Sequence, residues 1–386
     1  MTLPDYAGGS IANLMSSIAA GLGSPPGLYR TLTAFDPVAQ EHAGHVVLIV
    51  IDGLGFNYLR QAAGGCVLRQ YLLGSLTSVF PSTTATAVTT FLTGVPAQQH
   101  GLTGWHIYLE EIGECAAILP FETRANGTSL RQLAASPESL FGYPTFFQKL
   151  NAGCHALSPD SIAFSDFNRT HTRGATTVPY RSLTQFFEGI ERLTRAQDQR
   201  RFIYAYYPEF DGTSHEHGVA SMPAANVLGR VAEGFERLLR SLAGRGVTVI
   251  LTADHGFVDA PAAKRVELEA HPHLQECLAQ PLCGERRLPY CYVKEEKREQ
   301  FEAYIANELA HACTAAPSSD LVAKHYFGLG EAHANLSKRT GDYILLMNEG
   351  YTIKDWLPSE KRHALIGVHG GTTEDEMLVP LIVATP

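Results

Sequence analysis

The stretch Val46-Val47-Leu48-Ile49-Val50-Ile51-Asp52-Gly53 decides how this chain is read. Six apolar residues, five of them β-branched, run without alternation and stop at a carboxylate and a glycine. Unbroken apolar runs of this length mark strands covered on both faces, the condition of a parallel sheet. The same pattern recurs at residues 202–207, 247–252 and 377–384, with a shorter fifth run at 76–80, and all are expected as buried strands, the four longer ones parallel. Helical periodicity lies between them. Val227, Leu228, Val231, Phe235, Leu238, Leu239 and Leu242 share one face of a helix over 225–242, which Gly244 and Gly246 end. Strands alternating with helices predict an α/β sandwich of three layers around a mostly parallel sheet. In such sheets ligands gather beyond the carboxyl ends of the strands.

The composition bounds what this scaffold serves. The chain has 386 residues and a formal charge of −9, which disfavours a groove that tracks nucleic-acid phosphates. It does not disfavour a small anionic substrate, because bound cations reverse the local field. Seven cysteines, an odd count without a CxxC pair, argue against a disulfide scaffold or a thiolate zinc site. The N-terminus reads as neither a signal peptide nor a membrane anchor, and no apolar run reaches membrane-spanning length, so a cytoplasmic location is expected. The chain is expected to form a single domain. Residues 257–342, more polar and with a helix expected over 298–312, read as an inserted cap. Residues 104–180 read as a second excursion that lines a pocket.

Ionisable residues cluster at the ends of the apolar runs. Asp52 closes the first, and Asp254-His255 closes Val247–Thr252. Asp211 and His215 follow the 202–207 run, and His369 stands between Leu365-Ile366-Gly367-Val368 and two glycines. Taken alone, each has a structural explanation as a turn, a cap or a loop histidine. Gly212 and Ser214 suggest a loop for Asp211 and His215 rather than a helix face, and His217 reads as an outer or exposed side chain. Together they make three carboxylates and three imidazoles. That N/O set suits zinc, with manganese or iron as alternatives, and six ligands suit two ions. The segment 80–94, Phe-Pro-Ser-Thr-Thr-Ala-Thr-Ala-Val-Thr-Thr-Phe-Leu-Thr-Gly, reads as a turn followed by a helix, with Ser82 or Thr83 as N-cap. A hydroxyl there would face the positive end of the helix dipole, a site for phosphate oxygens.

In this order the motifs resemble the alkaline phosphatase superfamily, and within it the type I phosphodiesterase / nucleotide pyrophosphatase family. The stretch 369–380 is also similar to the superfamily's C-terminal signature. The resemblance covers nearly all of the chain after His45. It implies an alkaline phosphatase-like fold, two divalent metal ions and Thr84 as the nucleophile, with Thr83 the nearest substitute. It assigns Asp52, Asp254 and His255, with Thr84, to one ion and Asp211, His215 and His369 to the other. It implies cleavage of phosphodiester or pyrophosphate bonds through a phosphothreonine intermediate. The alternative is a phosphomonoesterase, phosphomutase or phosphonate hydrolase of the same superfamily, for which Arg124, Arg169 and Arg173 are candidate phosphate clamps. The expected partner is a small phosphate ester, a nucleotide among the candidates. Two departures stand out. Ala85-Thr86-Ala87-Val88 replace a frequent Phe-Pro-Asn-His, and Trp105 occupies the place of a phosphate-contacting asparagine, where it suits stacking on an aromatic group or plain packing.

Overall fold

The first apolar run is strand β1 (His45–Ile51), and all seven of its residues are buried. Burying each Val, Leu or Ile of that strand contributes about 1.5–3 kcal/mol, so β1 anchors the core. The computed structural model describes residues 1–25, 27–33, 44–62, 66–133, 135–195 and 199–386. Within them the central sheet also holds β2 (Leu72–Thr77), β3 (Gly153–Pro159), β4 (Thr176–Tyr180), β5 (Arg201–Tyr207), β6 (Val247–Thr252) and β7 (Leu378–Ala384). Their order across the sheet is β2-β7-β6-β1-β5-β3-β4.

β1 pairs in parallel with β5 and β6, and β3 in parallel with β5 and β4. β7 is the exception. It was expected parallel, but it runs antiparallel to both β6 and β2. A run buried on both faces records its depth and not its direction, so the pattern could not show this. The fifth run was also displaced. β2 ends at Thr77, and residues 78–80 form a buried connection to the next helix. As an edge strand β2 leaves Leu73 largely exposed, and so lacks the continuous apolar signal.

Helices cover both faces of the sheet. α1 (Thr84–Thr93) packs with the Ile11–Gly21 helix on one side, where Phe91 meets Tyr204 of β5. α3 (Met222–Leu242) packs with both α2 (Glu209–His217) and the Leu183–Leu193 helix, whose Phe186 meets Tyr207 of β5. Tyr204 and Tyr207 are three apart on one strand and so face opposite sides, which makes three layers. α3 begins three residues earlier than its apolar face suggests. Ser221 caps it by accepting the Ala224 amide, and Pro223 suits the first turn. The expected 298–312 helix stops at Glu308.

Parts of the two expected excursions meet, although residues 153–180 instead supply β3 and β4 of the central sheet, and Tyr343–Met347 extends the second sheet beyond the expected cap. Strands at His106–Leu109, Glu114–Ala117 and Glu122–Thr123 join those at Cys283–Glu285, Leu288–Cys291, Cys313–Pro317 and Tyr343–Met347 in one antiparallel second sheet. The junction is a single register pair, Gly284 with His106. This sheet roofs the carboxyl ends of the central strands.

Candidate active site

Asp52 ends β1 in a left-handed turn at Gly53 (φ 76°), where a Cβ would stand 2.4 Å from the Phe257 ring. The Gly53 amide donates to Asp254 Oδ1 at 3.1 Å, tying the ends of β1 and β6 together. Asp254 Oδ1 also accepts the His255 amide at 3.0 Å. After His255 the chain passes so close to Asp375 that a Cβ on Gly256 would lie 1.9 Å from its carbonyl oxygen. Only glycine fits there.

Asp211 and His215 are on a helix, correcting the loop expectation. They stand four apart on one face of α2, with His215 Nε2 3.4 Å from Asp211 Oδ1. The weak helix formers are tolerated because α2 packs on α3, and because the Ser214 hydroxyl donates to the Phe210 carbonyl at 2.7 Å. His217 is exposed, with Nε2 3.8 Å from Glu216.

Six side chains meet at one point. His255 Nε2 lies 3.3 Å from Asp52 Oδ1, 3.5 Å from Asp254 Oδ2 and 4.0 Å from Asp211 Oδ1. His369 Nε2 lies 3.6 Å from Asp211 Oδ1, and its ring stacks on that of His255 at 3.7 Å. Ligand atoms of Asp52, Asp254 and His255 fall within 4.8 Å of one another, as do those of Asp211, His255 and His369. His215 stands outside both trios but faces Asp211.

The protons at this centre can be assigned. Each Nδ1 faces a backbone carbonyl: His215 that of Gly367 (2.9 Å), His255 that of Gly256 (3.0 Å) and His369 that of Ser82 (3.3 Å). A carbonyl cannot donate, so Nδ1 carries the hydrogen and each Nε2 lone pair turns inward. Asp52 Oδ1, Asp211 Oδ1 and Asp254 Oδ2 are buried without a hydrogen-bond partner. Burial, reinforced by Asp211, pushes the Asp52 carboxyl well above the usual range. Burial raises Asp211 to about 7, and burial with the Asp52 charge raises Asp254 to about 8. Burial lowers His215 to about 4 and holds His369 well below its ordinary value. Bare carboxylates are unfavourable here and imidazolium is too. Three orphaned carboxylate oxygens beside three inward imidazole nitrogens fit divalent cations, with backbone carbonyls holding the imidazoles in the ligating tautomer.

Thr84 is the first residue of α1, with Thr83 as its N-cap, and its hydroxyl lies 3.1 Å from His255 Nε2. The amides of Thr84 and Ala85 open the helix, where no earlier turn supplies them a carbonyl. Thr83 is turned away. Its hydroxyl donates to Glu285 Oε1 at 2.7 Å, and that oxygen also takes the Trp105 amide at 2.7 Å. Ser82 donates to the Gly371 carbonyl at 2.8 Å, fastening the loop before Thr84 to the His369 loop.

Several contributors carried no sequence signal. The Tyr206 hydroxyl donates to Asp52 Oδ2 from inside β5, where it reads as one more strand aromatic. Phe257 packs on all three histidine rings at 5.0–5.6 Å. Arg287 and Glu376 form a fully buried two-bond pair (2.9 and 2.8 Å), with Glu376 also taking the Gly371 amide at 2.8 Å. This pair clamps the His369 loop to the roof. Of the arginine candidates, Arg124 is bound to Asp355 and Glu360, while Arg169 and Arg173 donate to the carbonyls of Phe164 and Thr170. Above Thr84, Asp211, His215 and His369 lies a cavity of about 430 Å³, walled by Trp105, Arg124, Glu285, Arg286, Lys354 and His363 among others.

An α/β core with this centre at its strand ends defines a hydrolase of the alkaline phosphatase superfamily. The chain belongs to the type I phosphodiesterase / nucleotide pyrophosphatase family, whose profile matches residues 46–372. Solved structures share the fold. Murine ectonucleotide pyrophosphatase / phosphodiesterase 5 superposes with a TM-score of 0.66 at 19% identity, covering 88% of each chain. An inactive threonine-to-alanine variant of it in complex with AMP gives 0.65 at 18%, covering 87% of each. Phosphonoacetate hydrolase from Sinorhizobium meliloti 1021, in complex with phosphonoacetate, gives 0.65 at 17%, covering 88% of this chain and 90% of that one. No curated protein sequence matches.

Proposed function

We propose that this chain hydrolyses phosphodiester or pyrophosphate bonds of small molecules through a phosphothreonine intermediate on Thr84. Two divalent ions would be held by Asp52, Asp254, His255 and the Thr84 oxygen on one side and by Asp211, His215 and His369 on the other. The carrying observation is the set of three unpartnered carboxylate oxygens gathered with inward imidazole nitrogens beside one helix-opening hydroxyl. The N/O donor set favours zinc, and manganese and iron suit the same donors. When bound, such ions supply Lewis acidity that stabilises the ionised hydroxyl and the charge on the phosphoryl oxygens.

Thr84 Oγ1 attacks phosphorus in line; the new P–O bond forms as the bond to the leaving oxygen breaks. The first amides of α1 receive phosphoryl oxygens. Water then cleaves the phosphothreonine and restores Thr84. A cavity of about 430 Å³ fits a small ester, as do the AMP and phosphonoacetate held by structural relatives. That an inactive murine relative carries a threonine-to-alanine change accords with a threonine nucleophile. Arg124 is held by Asp355 and Glu360, and Arg169 and Arg173 do not line the cavity, so none of these three is placed to clamp a dianionic monoester.

Thr84→Ala is expected to lower turnover of bis-p-nitrophenyl phosphate roughly a thousandfold or more while bound metal, read by elemental analysis, is retained. Near wild-type turnover would remove Thr84 from the chemistry. Faster hydrolysis of p-nitrophenyl phosphate than of the diester would move the reading to a monoesterase. All seven cysteines are free, which supports a reducing, cytoplasmic setting. Fewer than seven titratable thiols in freshly isolated protein would count against it. Among the described residues no helix is long and apolar enough to cross a membrane.

A further inference from the structure

The cavity roof carries three cations, and their pairing is uneven. Arg124 binds both Asp355 (2.7 Å) and Glu360 (2.9 Å), and Lys354 shares Glu360 at 3.2 Å. Arg286 lines the same cavity and, among the described residues, forms no ion pair. The nearby carboxylates are all engaged. Glu285 takes Thr83 and the Trp105 amide, Glu267 takes the Trp356 indole N–H at 2.5 Å, and Glu269 pairs with Arg362 at 3.0 Å. Arg286 is instead held by neutral groups. Its guanidinium lies 5.2 Å over the Trp356 ring, and Nη2 donates to His363 Nε2 at 3.0 Å. The His363 Nδ1 hydrogen faces the Lys361 carbonyl at 3.1 Å, so Nε2 is the acceptor and the ring is uncharged.

A half-buried guanidinium stays charged at any working pH, and burying it without an anion is costly. A stacked, pre-oriented fork of this kind matches a carboxylate or phosphate bidentately. From these observations we propose that Arg286 is a specificity determinant, binding a second anionic group on the substrate, a carboxylate or phosphate beside the phosphoryl group being attacked. This rests on the proposed diester hydrolysis and narrows its substrate class to esters with a further negative charge within the cavity.

The test is competition against bis-p-nitrophenyl phosphate turnover by propylphosphonate and phosphonopropionate, which differ by a methyl replaced with a carboxylate. Wild type is expected to bind phosphonopropionate about tenfold or more tightly, as a charge-assisted bond would give. In Arg286→Met that ratio should fall to near one, and Arg286→Lys should keep part of it. Because the ratio is taken within each variant, a general loss of fold or rate cancels, and thermal melts confirm that each variant is folded. A wild type that hydrolyses the diester but shows no preference overturns the inference alone. So does an Arg286→Met protein that weakens both phosphonates equally, which would make Arg286 a clamp on the phosphoryl group itself. A wild type inert toward the diester would remove the proposed function and this inference together.

Discussion

Stripping the metal should make stability depend steeply on pH. Asp254 is fully buried with its Oδ2 unpartnered, and burial with the Asp52 charge raises its carboxyl to about 8 in the folded chain against 3.8 as a free side chain. A group whose pKa rises on folding favours the fold at low pH, and that contribution is lost as pH climbs through the folded value. Between pH 5 and pH 8 the folded protein keeps this proton and the unfolded chain does not. Each pH unit then removes about 1.4 kcal/mol, or about 4 kcal/mol over the interval. Unfolding entropy for a chain of 386 residues is about 0.8 kcal/mol/K, so the apo protein should melt about 5 °C lower at pH 8 than at pH 5. Asp211, raised to about 7, acts in the same direction over the lower part of that range. Divalent ions should reverse the loss, because they take up the charge that folding otherwise buries. The assay is calorimetry of chelator-treated protein across pH 5–8, with and without added zinc. An apo melting point flat with pH, or no gain from zinc at pH 8, would refute the assignment of these carboxylates to a cation centre.

Three further outcomes are expected. Tyr206→Phe removes the hydroxyl that orients Asp52 and should weaken metal affinity roughly 10- to 100-fold by competition with a chelating dye, with the fold intact. Arg287→Ala leaves Glu376 buried and unpaired, and should cost about 3–5 kcal/mol in denaturant unfolding; a loss under 1 kcal/mol would show that the clamp is dispensable. His217→Gln should leave both metal content and turnover unchanged, and a loss of one bound ion would make His217 a ligand.

The strands β1, β5, β6 and β7 were legible because they are almost wholly buried and acids stand where the first runs stop, whereas β3 and β4, less fully buried, lie inside residues 104–180 and carried no such signal. Asp52, Asp254 and His255 are therefore marked by contrast alone: a carboxylate after six apolar residues has no packing role to play. Direction and edge position were not legible, since β7 has the composition of its parallel neighbours and β2 has only one fully buried residue, Leu76. α2 was misread because the propensities of Gly212 and Ser214 are local, whereas its packing against α3 is not. The roof was least visible. Glu285, Arg286 and Arg287 are three successive charged residues in a hairpin, without periodicity, and their partners Thr83, His363 and Glu376 lie 77 to 202 residues away.

The two sheets divide the labour of this protein by their origin in the chain. The cluster of carboxylates and imidazoles is built largely by turns at the ends of the inner strands. The cavity above is walled by hairpins that share one register pair, Gly284 with His106, and are tied further by the Trp105 amide on Glu285 and by Arg124 on the Leu282 carbonyl. Under the proposed function, changes at cavity-facing side chains that brace neither Thr83 nor the His369 loop, such as Arg286, would redirect selectivity, whereas changes at Glu285 or Arg287 would disturb the loops below.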